Sequence, residues 1–144
     1  MQVCSAKLRL LVVLLPALVA LGCGDTTNPK VGQQDETLRQ SVESSDSAEA
    51  RQWLRGPTHS WWTDKAAISA LVEAFYAAGA EKVVISDIIR QDDGSKVSAS
   101  IIVVVPSDPE ARKRVFALDS RASLESQQDS QRDEDQKYLY YGFD

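Results

Sequence analysis

The residues able to do chemistry are few in this 144-residue chain and lie far apart along it. Its one histidine, His59, would have to serve any Ser-His-Asp relay, and Ser60 beside it cannot face it in the required geometry. No Gly-x-Ser-x-Gly elbow is present, and the seven glycines form no phosphate-cradling cluster. Asp92 and Asp93 offer oxygens to a cation but lack the alternating acidic spacing of a calcium loop, so they read as a turn. Asp129, Asp133, Glu134 and Asp135 are denser, yet Arg132 and Lys137 partly neutralise them, which leaves weak, nonselective cation attraction. Glu73 and Glu81 are carboxylates of the kind used in acid-base pairs, but nothing in the sequence brings them around one pocket. The expectation is no catalytic residue, no metal and no cofactor.

The thiols are more informative. Cys4 and Cys23 are the only cysteines, so the rest of the chain can form no internal disulfide and offers no thiolate ligand or Cys nucleophile. Lys7 and Arg9 precede an uncharged apolar stretch from Leu10 to Leu21, the pattern of a secretory signal over residues 1–22. As a helix that stretch would rise only about 18 Å, too little for a hydrocarbon core of about 30 Å, and Pro16 interrupts it.

The stretch ends in Val19-Ala20-Leu21-Gly22-Cys23, which resembles the lipobox of bacterial lipoproteins, with Ala20 where that family most often has Leu. The resemblance implies that the Cys23 thiol receives a diacylglyceryl group, that cleavage falls just before it, and that the new amino terminus is acylated. Each buried methylene contributes about 0.8 kcal/mol, so two or three acyl chains make a permanent membrane tether. Gly24 rather than Asp follows the cysteine, which by the same resemblance favours the outer over the inner membrane. Ala20 and Gly22 also form a small-x-small site, so ordinary cleavage to a secreted, unlipidated protein is the alternative.

The chain carries a formal charge of -5, and losing Lys7 and Arg9 with the signal takes it to -7. The only dense basic run is Arg112, Lys113, Arg114, which reads as a solvated helix face, so nucleic acid is not an expected partner.

The elements behind these residues divide in two. Residues 23–52 are rich in Asp, Glu, Ser, Gln and Thr, with Val31, Leu38 and Val42 the sizeable aliphatics, and read as a disordered acidic tether spanning about 30 Å. Residues 53–144 read as one small α+β domain. Gly56-Pro57 marks a turn, and a first strand is placed around Thr58 to Trp62. Thr63 or Asp64 caps a helix whose stripe is Ile68, Leu71, Val72 and Phe75, with Gly79 at its end.

Val83 to Arg90 and Val97 to Val105 read as strands joined by a turn at Asp92-Asp93-Gly94-Ser95, the second with apolar residues on both faces and therefore interior. Ser107 and Glu110 have capping-box spacing and Pro109 suits a first turn, so a second helix follows, with a stripe of Ala111, Val115, Leu118 and Ala122 extended to Leu124. Residues 125–137 are a polar loop, and Tyr138 to Phe143 read as a last strand. The order (β)αββαβ resembles the ferredoxin-like sandwich, an antiparallel sheet with two helices on one face.

Trp61, Trp62, Tyr138, Tyr140 and Tyr141 form the candidate binding surface, because adjacent aromatics on a strand expose one ring of each pair unless both faces are covered. Together these features predict a lipoprotein of the cell envelope, held to a membrane through Cys23 and acting as a noncatalytic binding module for an envelope protein or polysaccharide. An envelope hydrolase with an unrecognised active site is the rival.

Overall fold

The computed structural model describes residues 28–56 and 64–143. The signal region, Cys23, His59, Trp61, Trp62 and the strand expected around Thr58 to Trp62 lie outside the described residues. Among the described residues eleven elements follow in order: α1 (Pro29–Glu43), β1 (Ala48–Glu49), α2 (Ala50–Arg55), α3 (Lys65–Ala78), β2 (Lys82–Ser86), β3 (Ile89–Arg90), β4 (Lys96–Val97), β5 (Ser100–Val104), α4 (Pro109–Ala117), α5 (Asp119–Ser126) and β6 (Tyr138–Gly142).

The fold is α+β around a four-stranded antiparallel sheet of order β1-β2-β5-β6. β5 lies between β2 and β6, as its two apolar faces require. Neighbours in this sheet are also neighbours in sequence, whereas a split βαβ unit interleaves its strands. The strand order is therefore sequential rather than ferredoxin-like, and the sheet's first strand is Ala48–Glu49.

The β2–β5 and β3–β4 pairings share one register centred on Asp93, so the two expected strands form a single long ribbon. It bends where Asp87 takes φ 55°. At the bend the Ser98 hydroxyl donates to the Ser86 carbonyl, and Ser98 Oγ accepts from the Ser100 amide at 3.1 Å, standing in for ladder bonds.

One face of the sheet meets α2 to α5. Val83, Ile85, Ile101, Val103, Leu139 and Tyr141 share a single core with Trp53, Ile68, Leu71, Val72, Phe75, Val115 and Ala122. The stripe read on α3 is buried in full, Asp64 caps it through the amides of Ala66 and Ala67, and Gly79 ends it at φ 105°. A Cβ on Gly79 would lie 2.9 Å from the Ala111 Cβ, so close helix packing as well as the left-handed backbone requires glycine there. In α4 the cap is Asp108, which accepts from the Ala111 amide at 2.7 Å, rather than Ser107. The chain turns at Leu118 into α5, and this leaves Leu124 82% exposed instead of in the stripe.

The opposite face is covered by α1, which corrects both the tether and the count of helix layers. Val84 and Ile102 point away from the main core yet are buried, and α1 packs over β2 and β6 with Val31 and Leu38 inward. Val31, Leu38 and Val42 are spaced i, i+7 and i+11, one helical stripe in a polar sequence. Asn28 and Pro29 start the helix, Arg39 bridges Glu36 and Glu43, and both Asp35 carboxylate oxygens accept from the Lys137 amide at 3.0 Å. Mean polarity predicts a coil, but a few aliphatics on one stripe suffice when a buried sheet face needs cover.

Candidate functional site

Of the aromatic set, the three described tyrosines divide between the two faces of the sheet. Residues alternate along β6, so Tyr141 faces the helical core while Tyr138 and Tyr140 face the α1 side. Tyr141 is fully buried, its ring 5.9 Å from that of Phe75 and its hydroxyl 2.8 Å from Asp119 Oδ1. Burial, and then the hydrogen bond to that carboxylate, push the Tyr141 hydroxyl well above the usual phenol range. Tyr138 and Tyr140 are half-buried, and the Tyr140 hydroxyl lies 3.1 Å from Ser100 Oγ.

The polar loop beside β6 has a structural task. Gln131 Nε2 donates to the Tyr140 carbonyl at 3.1 Å, and the Gly142 amide donates to Gln128 Oε1 at 3.2 Å. Two glutamine side chains thus occupy backbone groups that an outer strand would otherwise seek. Asp119 anchors the loop by accepting from the Gln131 amide at 2.7 Å, and Arg112 pairs with Asp133 and donates to the Gln136 carbonyl.

The acidic candidates are placed likewise. Asp93 accepts from the Ser95 amide in the hairpin turn, and Glu73 is bound by Arg51 through both oxygens. Among the described residues no cluster of three or more His, Cys, Asp and Glu side chains is arranged to hold a metal ion. No helix among them is long and apolar enough to cross a membrane.

A groove of about 610 Å³ lies where the α1–β1 loop, β1 and α2 meet the β3–β4 hairpin. The first segment contributes Ser45, Asp46, Ser47, Glu49, Gln52 and Trp53, and the hairpin side Ile88, Arg90 and Lys96. A bond from the Ile88 amide to the Asp46 carbonyl, 3.0 Å long, ties the segments together at the base of the hairpin.

Glu49 is fixed in place. It caps α2 by accepting from the Gln52 amide at 2.8 Å and accepts the Tyr76 hydroxyl hydrogen, while the Val83 amide donates to the Tyr76 oxygen at 3.1 Å. Partial burial pushes the Glu49 carboxyl up, but the bonds from Tyr76 and the α2 amides prevail and hold it below its ordinary value. It is therefore an ionised acceptor at neutral pH. The Arg51 guanidinium sits 3.9 Å above the Tyr76 ring centre, locking the ring from the other side.

Sequence reasoning passed over Asp46, Glu49, Arg90 and Lys96. The hairpin signal contained part of them: a ribbon centred on Asp93 sets Arg90 directly across from Lys96. The other part, Asp46 and Glu49, lay within residues 23–52, the stretch whose composition reads as tether.

Comparison with known proteins returns no match: no family model, no curated protein and no solved structure matches the chain.

Proposed function

We propose that this protein is a membrane-anchored lipoprotein of the bacterial cell envelope that acts as a noncatalytic binding module. The observation that carries the reading is the run Val19-Ala20-Leu21-Gly22-Cys23 behind a basic and then apolar leader. Acyl chains on Cys23 supply the membrane affinity that an acidic chain lacks.

The architecture supports this reading and shortens the tether. The first helix starts at Pro29, so only residues 24–28 separate it from the anchor, a reach of at most about 20 Å. α1 then rises about 22 Å over its 15 residues, and the groove opens just past its end, at Ser45. A lipidated Cys23 thus holds the domain close to the bilayer, with the groove at the end of α1 remote from the anchor. The outer membrane is the favoured address, on the resemblance at Gly24.

Labelling with radioactive palmitate in a bacterial host tests the anchor. The expected result is label on the wild-type chain and none on Cys23→Ser, with the wild type in the membrane fraction. A wild-type chain that is exported without label refutes it.

A further inference from the structure

We propose that the groove beside the β3–β4 hairpin binds a short peptide by its charged ends, the carboxylate held by Arg90 and Lys96 and the ammonium received at Asp46 and Glu49. This rests on the binding-module reading and names the ligand class of that module.

Arg90 and Lys96 are directly opposed in the hairpin. Opposed side chains on an antiparallel pair share one face a few ångströms apart, and like charges there destabilise the pair. Four of the described cations, Arg39, Arg51, Arg112 and Lys113, have a carboxylate within 2.9 Å; what sets Arg90 and Lys96 apart is that two cations are directly opposed on one ribbon. Among the described residues Arg90 and Lys96 have no such partner. Acids are not scarce, with 21 against 16 bases. A repulsive pair of unpaired cations lining a groove on an acidic chain is a place where an external anion completes the electrostatics.

The acids of the same groove narrow the choice of anion. Asp46 and Glu49 come from the other segment, so the two sides bring opposite charge to one cavity. Inorganic phosphate answers the cations and leaves Asp46 without a counter-charge, whereas Glu49 already lies in the field of Arg51. A peptide with free ends answers both, and Ser45 and Gln52 supply hydrogen-bonding groups for its backbone. A volume of about 610 Å³ is that of a small-ligand site, which limits the occupant to a few residues.

The test is a titration of the mature, lipidated protein in detergent micelles with trialanine, followed through the amide NMR signals of Ser47, Gln52, Arg90 and Lys96. Saturable shifts at these amides are expected. Amidating the peptide's carboxyl end weakens binding about tenfold or more, acetylating its amino end weakens it as well, and Arg90→Gln combined with Lys96→Gln removes it. The same double variant keeps or raises the urea midpoint, because it abolishes a like-charge pair. Absence of saturable shifts, equal binding of amidated trialanine, or identical shifts with phosphate alone overturns the proposal. Lipidation is read independently by the palmitate label at Cys23, so a silent groove on a labelled protein overturns the peptide assignment and leaves the anchor standing.

Discussion

Replacing Tyr141 by Phe removes one oxygen from the interior and leaves the ring in place, which makes it a clean probe of the bond that joins β6 to α5. Tyr141 is fully buried, and its hydroxyl donates to Asp119 Oδ1 at 2.8 Å. Asp119 is itself 3% exposed, and its other donors are the Gln131 amide at 2.7 Å and the Ser123 hydroxyl at 3.5 Å. A hydrogen bond to a charged, buried acceptor is worth about 1.5–3 kcal/mol, and packing against Phe75 is unchanged, so a loss of about 2 kcal/mol is expected. For a domain of this size that lowers Tm by roughly 8 °C. Urea unfolding of the mature protein, followed by tryptophan fluorescence, should show a lower midpoint at constant slope. A loss under about 0.5 kcal/mol refutes the bond. Unchanged stability with lost trialanine binding would return Tyr141 to the ligand surface.

Two further outcomes follow from the same contacts. Leu38→Ala uncovers the sheet face beneath α1 and should cost about 2–4 kcal/mol, with faster amide exchange through α1. If residues 29–43 were only a tether, neither quantity would move. Stability should also fall in acid. Arg39 holds the Glu36 carboxyl down to about 2 from an ordinary 4.5, and Arg112 and Arg51 lower those of Asp133 and Glu73. The unfolded chain then binds more protons than the folded one, so the contribution is present above about pH 4.5 and lost as pH falls toward 2. A urea midpoint that is constant between pH 5 and pH 3 contradicts this.

Much of the fold was legible in the residues themselves. The stripe Ile68, Leu71, Val72, Phe75 with Asp64 before it and Gly79 after it determines a helix from local rules alone. The ribbon around Asp93-Gly94 and the last strand from Tyr138 were equally plain, since alternation and turn chemistry act within a few residues. What escaped was tertiary in origin. Val31 and Leu38 are too few to announce a helix, and they gain their meaning from Val84 and Ile102, which need cover on a sheet face formed half the chain away. The sheet's first strand is two residues long, too short for any period to show. Of the aromatic candidates only Tyr138, Tyr140 and Tyr141 fall in the described residues, and pleating sends Tyr141 to the opposite face from the other two. The groove escaped because its acids and its cations are far apart in sequence and meet only when the hairpin folds against β1 and α2.

Membrane anchoring depends on the chemistry at one sulfur, and mass spectrometry of the amino-terminal peptide from membrane-extracted protein addresses it directly. The predicted peptide begins at Cys23 and carries a thioether-linked diacylglyceryl group with an acylated amino terminus. A peptide that begins at Cys23 with a free thiol, or one that still begins at Met1, contradicts the account.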